Sequence, residues 1–231
     1  MTHTNANEQR KVNTLFRTVC LLTLSFLIVL PAFAGVPENE WPLGIGVGVA
    51  GGYAKPSNDL YSGGMAFGLC VSIGFMKYLA VEITGQNFNP RVEPSDQGLS
   101  KGKLSIIPIQ LSLQARYPIS GGRIMPYLEL GGGYYLNKFS VDGDLAGDWE
   151  RVGFTLEEKV ESTAAFHFGA GLDFYVIRNL SLGLGFKYCL AKMNGKWSLI
   201  DSASSIEVSG ELPDLKLNPL MLGLRVRYIF K

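Results

Sequence analysis

The stretch Leu217–Phe230 alternates without a break. Leu220, Leu222, Leu224, Val226, Tyr228 and Phe230 share one parity; Met221, Gly223, Arg225 and Arg227 share the other. Successive side chains of an extended strand leave opposite faces of the pleat, so this stretch reads as a strand with one greasy face and one small or charged face. The same division recurs seven times upstream. Leu43–Tyr53 sets Ile45, Val47 and Val49 against glycines, and Met65–Phe75 sets Phe67, Leu69, Val71 and Ile73 against Gly68, Cys70 and Ser72. Leu79–Phe88 carries Val81 and Ile83 opposite Glu82, Thr84 and Gln86, and Ile107–Tyr117 carries Ile109, Leu111 and Leu113 opposite Gln110, Gln114 and Arg116. Ile124–Leu136, Ala164–Phe174 and Leu180–Leu190 follow the same rule, with Tyr127, Glu129, Tyr135, His167, Asp173 and Lys187 on their less apolar faces. Short turns follow the second, fourth and sixth strands. Longer loops cover roughly 54–64, 89–103, 137–160 and 192–214.

No helix long enough to cover so many apolar faces is available. The expected fold is therefore all-β: an eight-stranded antiparallel transmembrane β-barrel, greasy side in lipid, with short periplasmic turns and longer extracellular loops. The dimensions fit, since Ile107 to Tyr117 spans about 33 Å at ~3.3 Å per residue. Tilted by ~40°, such a strand covers about 25 Å, the height of an outer-membrane apolar band. Aromatics gather at both ends of that band. Phe75, Tyr117, Phe174, Tyr228 and Phe230 lie at the turn ends, and Tyr53, Phe67, Tyr134, Phe166 and Tyr188 towards the loops. Closure is required because an open sheet edge in lipid costs several kcal/mol per unpaired backbone group. The competing architecture is a soluble barrel with the leucines inside. An eight-stranded barrel has an interior that side chains just fill, too small for this apolar set, and the glycines lie on the face where a narrow lumen needs room.

Composition changes the picture little. Of 231 residues, 47% are hydrophobic and 18% charged, because the inward residues of a barrel dilute its hydropathy. The N-terminus adds more. Arg10, Lys11 and Arg17 precede the apolar run Val19–Leu30 and then Pro31-Ala32-Phe33-Ala34, the anatomy of a secretory signal cleaved after Ala34. Residues 1–34 are thus read as a signal peptide and 35–231 as a single barrel domain. The run is short of the ~20 apolar residues a spanning helix needs. The mature chain then holds 18 basic and 19 acidic residues, which gives no nucleic-acid signal. Cys70 and Cys189 are expected to be buried thiols rather than a disulfide.

The last strand, Gly223…Val226-Arg227-Tyr228-Ile229-Phe230, resembles the C-terminal signal by which outer-membrane barrels are recognised for assembly. The resemblance assigns Gly223, Tyr228 and Phe230 to that signal and implies the barrel assembly machinery as a partner. It departs from the usual pattern in ending on Lys231 rather than on the aromatic. Lys103-Leu104-Ser105-Ile106-Ile107-Pro108, Pro126-Tyr127-Leu128-Glu129-Leu130-Gly131-Gly132-Gly133 and Asn218-Pro219 are similar to the outer-membrane protein W family and related small eight-stranded barrels. That likeness implies a passive barrel associated with uptake of small, often hydrophobic molecules. It also implies residence in the outer membrane of a Gram-negative bacterium, among lipid and lipopolysaccharide.

Parity places Glu82, Arg116, Glu129, Asp173, Lys187, Arg225 and Arg227 inside, a candidate lumen charge network of three acids and four bases. Such charges must pair, because an isolated one in a narrow lumen costs several kcal/mol. Glu82, Arg116, Asp173 and Arg227 fall towards the periplasmic end. The network either plugs the barrel or lines a solute path. Pro108, Pro126 and Pro219 each remove a ladder donor and are candidate weak points in the wall. No enzyme is expected: His167 faces inward and no serine follows it at a suitable spacing. No cofactor or metal is expected either, since Asp142–Asp148 lacks the ligand pattern of a calcium loop. Two functions follow: passive passage of small molecules, hydrophobic ones included, across the outer membrane, or a non-conducting structural or adhesion-type barrel acting through loops that carry Trp149 and Trp197.

Overall fold

The computed structural model describes residues 44–93, 99–204 and 206–230. The leader Met1–Ala34, Leu43 and Lys231 lie outside them. Among the described residues twelve strands are formed: β1 Gly44–Lys55, β2 Gly64–Gly74, β3 Leu79–Phe88, β4 Arg91–Val92, β5 Gly102–Arg116, β6 Ile124–Val141, β7 Phe154–Val160, β8 Thr163–Ile177, β9 Leu180–Leu190, β10 Lys192–Asp201, β11 Glu207–Lys216 and β12 Leu220–Phe230. An α-helix, α1, spans Gly143–Arg151.

Eight of these strands close a barrel in the order β3-β2-β1-β12-β9-β8-β6-β5, with β5 pairing back onto β3. Every neighbour is antiparallel, and the first and last strands zip together from Ile45↔Phe230 to Lys55↔Leu220. The greasy parity points outward along every wall strand. Phe166, Leu130 and Leu128 are 72, 67 and 66% exposed, and Leu69, Leu111, Leu113 and Leu224 join them in one continuous apolar belt. A water-facing surface does not carry such a belt, so the soluble inside-packed barrel is excluded. The turns sit at one rim. Between β5 and β6 the chain reverses through positive φ at Ser120, Gly121 and Gly122. Asn179, between β8 and β9, bonds Ile229 twice at 2.7 Å, its carbonyl accepting and its side-chain amide donating.

The regions read as loops are the main correction. The stretch 137–160 contains the end of β6, α1 and β7, and 192–214 is the β10–β11 hairpin. β7, β10 and β11 form a second, three-stranded sheet above the barrel. Above the membrane the parity inverts: Leu104, Ile106 and Phe139 point in and are buried, while Lys103, Lys138 and Ser140 point out. Water rather than lipid surrounds these strand ends, so the outward residues are polar and the lipid-facing signature disappears. The Asp142–Asp148 stretch is a helix start, with Asp142 as N-cap accepting from the Asp144 N–H at 3.2 Å.

The interior has three levels. Ala54, Phe88, Leu104, Ile106, Phe139, Met193, Leu215 and Leu217 pack a buried apolar cluster at the extracellular end. Polar and charged side chains fill the middle. Met125, Tyr175 and Ile229 close the periplasmic end.

Candidate functional site

Alternation fixes which side chains enter the lumen, and register decides which meet. Glu82, Asp173, Arg225 and Arg227 come together from β3, β8 and β12. Arg225 donates through Nη1 to both oxygens of Glu82 at 2.8 and 3.0 Å, and through Nε to Asp173 at 3.1 Å. Its Nη2 lies 3.0 Å from Asp173 Oδ1, within ion-pair range but without hydrogen-bond geometry. Arg227 donates through Nη1 to Glu82 at 2.9 Å and through Nη2 to Asp173. Two guanidiniums thus share two carboxylates, a neutral quartet in which each charge is held by two of the other sign. Removing one member of such a buried set costs about 3–5 kcal/mol, because the remaining charges lose their compensation. The guanidinium of Arg225 also lies over the Tyr127 ring, 4.4 Å from its centroid.

Glu129 and Lys187 form a separate pair at 3.3 Å. Lys187 also donates to Gln110 at 3.1 Å, and Gln110 donates to the Tyr135 hydroxyl at 2.7 Å. Gln114 links Glu129 to Arg116: its amide donates to Glu129 at 3.1 Å, and its carbonyl accepts twice from Arg116 at 2.6 and 3.1 Å. Among the described residues Arg116 has no carboxylate within ion-pair range, so the fourth base is the unmatched lumen charge. Cys70 and Cys189 are free, buried thiols.

Sequence reasoning missed His167's partner. Ser112, from β5, places its hydroxyl 2.8 Å from His167 Nε2. The two residues are far apart in the chain and meet only through the register of β5, β6 and β8. Among the described residues His167 Nδ1 has no hydrogen-bond partner, so the pair lacks the orienting third group of a hydrolytic triad.

The wall itself carries two features. Gly52, Gly223, Gly185 and Gly171 are direct cross-strand neighbours on β1, β12, β9 and β8. The Tyr127 ring lies across the last two. Beside this row a cavity of about 70 Å³ is bounded by Tyr127, Glu129, Lys187 and Arg225 and reaches Thr84 and Gln86 on β3. That is room for a few waters. The second feature is a break between β3 and β5. Their ladder runs from Leu79↔Ala115 to Gly85↔Ile109, skips Gln86–Asn87 opposite Ile107–Pro108, and resumes at Phe88↔Ile106. Leu104 and Arg116 donate across this seam to Pro90 and Tyr78, so even-numbered residues of β5 direct their N–H towards β3. At position 108 that donor does not exist. Of the three prolines read as weak points, Pro126 and Pro219 are elsewhere engaged: Pro126 pairs with Leu172 near the start of β6, and Pro219 precedes β12.

The sequence profile of the outer membrane protein beta-barrel domain matches residues 19–230. The chain belongs to that family. It is accordingly an outer-membrane protein of a Gram-negative bacterium, set in lipid and lipopolysaccharide. Among solved structures it is similar to the outer membrane protein OprG from Pseudomonas aeruginosa, with a TM-score of 0.61 and 18% identity over 84% of this chain and 100% of that one. It is also similar to Neisserial surface protein A, with a TM-score of 0.52 and 14% identity over 81% and 97% of the two chains. The E. coli outer membrane protein W gives 0.51 and 14% over 83% and 100%. At these identities the likeness establishes the fold of an outer-membrane family barrel and no more. No curated protein matches the chain in sequence.

Proposed function

We propose that this outer-membrane barrel passes small hydrophobic molecules sideways into the membrane and does not conduct ions along its axis. The observation that supports this reading is the seam at Pro108. It lies at the boundary between the apolar upper interior, where Phe88 and Ile106 pack, and the hydrogen-bonded middle, where Gln110 and Tyr135 begin. An apolar molecule descending from outside meets a polar floor of paired charges that it cannot cross without breaking them. The seam is the one stretch of the barrel wall at that level, among the described residues, where the backbone ladder is interrupted. The route leaves ions without a path, because the charge quartet and the Met125–Tyr175–Ile229 seal lie below it. On this reading the seven charged lumen residues are a plug. Gly223, Tyr228 and Phe230 serve the assembly signal, with the two rings outward and in edge contact at 4.9 Å. The Ser112–His167 pair is packing in a closed lumen rather than catalysis.

The test is uptake of a fluorescent apolar probe such as N-phenylnaphthylamine by cells expressing the protein or its Pro108→Val variant. Valine supplies the missing donor and closes the ladder, so uptake should fall several-fold while the amount of folded barrel is unchanged. Equal uptake by the two proteins would sink the lateral route. It would favour the second reading, a closed barrel working through its external sheet, whose hairpin exposes Ile206 and Val208 to water.

A further inference from the structure

The outward face just above the lipid belt carries a basic cluster that the lateral route does not use. Arg91 on β4 stands directly across from Lys103 on β5. Lys103 pairs with Ser140 of β6, and Lys138, two residues back on that strand, pairs with Ser105. All three side chains are exposed and share the outward face. One row below Lys138 the outward pair is Ile107↔Leu136, and below that Ile109↔Tyr134, the top of the apolar belt. Rows on one face are spaced by about 7 Å, so the three charges stand at the level of the headgroups of the extracellular leaflet. Like charges placed directly across a ladder repel. None of the three makes an ion pair with a described residue. Among nearby acids, Asp142 is engaged by Lys101 at 3.8 Å, and Glu93 is the next exposed residue beyond the β4 edge.

We propose that Arg91, Lys103 and Lys138 form a binding site for the phosphate groups of lipopolysaccharide in the outer leaflet. The three residues are cross-strand and diagonal neighbours on one outward face, and an anion held between them removes the repulsion between Arg91 and Lys103. An arginine fork suits phosphate oxygens, and the two lysines supply point charges beside it. The ligand is a lipid rather than a free anion because the site opens onto the belt, where Ile107, Leu136 and Tyr134 lie against its acyl chains. The inference needs only the chain's place in the outer membrane. It stands or falls separately from the Pro108 seam.

The experiment is a titration of the folded full-length barrel, read by native mass spectrometry, with bisphosphorylated lipid A, the same lipid stripped of its phosphates, and inorganic pyrophosphate. The wild type should prefer the phosphorylated lipid by about tenfold or more. Each charge removed should cost about fivefold, at ~1 kcal/mol per basic residue near a charged membrane surface. The triple variant Arg91→Ala, Lys103→Ala, Lys138→Ala should lose the preference. A control with Lys159→Ala and Lys196→Ala, on the external sheet, should keep it. Equal binding by wild type and triple variant, or an equal loss in the control, would overturn the site. Pyrophosphate binding as tight as the lipid would overturn the lipid assignment. Unchanged heat-modifiable gel mobility confirms that the exposed substitutions leave the barrel folded.

Discussion

Tyr127 is the residue on which the inner wall turns. A Cβ placed on Gly185 would meet its hydroxyl at 2.5 Å and its next ring atom only at 3.9 Å. Gly171 is tighter: there a Cβ would also strike the Leu184 carbonyl at 2.4 Å. Gly185→Ala should therefore destabilise the barrel by about 1–3 kcal/mol through overpacking, and adding Tyr127→Phe should recover most of it. Gly171→Ala should not be rescued by Tyr127→Phe, because the backbone clash stays. Urea unfolding midpoints of the refolded barrels check all four variants, and failure of Tyr127→Phe to rescue Gly185→Ala would reject the contact. Parity alone already sent Tyr127, Glu82 and Arg227 inward, because an alternating strand allows one choice of face. It could not tell that Glu82 bridges two arginines, nor that Ser112 meets His167. Those contacts depend on the register between strands distant in the chain, which no local pattern encodes.

At the level of elements, the membrane-embedded strands were legible and the extramembrane ones were not. The reading of Leu79–Phe88 and Leu180–Leu190 matched the structure because lipid demands apolar residues on every second position. The β10–β11 hairpin obeys the opposite rule at its root, where Met193, Leu215 and Leu217 face an apolar interior. It obeys almost none at its tip, where Val208 is 56% exposed. Such a segment reads as polar loop until its partner strand is known. Root and tip should differ in energetic weight. Leu217 is fully buried, and both its N–H and its carbonyl are bonded, to Ala191 and Ser57 at 3.1 Å. Leu217→Ala should cost about 2–5 kcal/mol of stability. Val208→Ala should stay within about 0.5 kcal/mol. Similar losses at both positions would mean that the hairpin folds as one block with the barrel. The external sheet also holds itself, as in the Lys196–Glu161 pair at 2.7 Å, which keeps the lysine ammonium above its usual range through that hydrogen bond.

For the whole molecule, the stacking of the three interior levels decides what can cross. An ion entering from outside must first dehydrate among Leu104, Ile106 and Leu217, then displace paired groups, and finally pass Met125, Tyr175 and Ile229. On the proposed reading these barriers together stop current, so the wild-type chain in a planar bilayer should be electrically silent. Arg227→Ala should be silent as well. It empties one corner of the quartet, but the Lys187–Glu129–Gln114–Arg116 chain and the periplasmic seal remain. Current should appear only when the levels are opened together, for example with Arg225→Ala and Arg227→Ala combined with Tyr175→Ala and Leu217→Ala. Those openings should then favour cations, because with both arginines gone Glu82, Glu129 and Asp173 outnumber Lys187 and Arg116 and leave the lumen net negative. Discrete openings in the wild type, changed in size by Arg227→Ala, would show instead that the charges line a water-filled path, and the lateral route would have to give way to a pore.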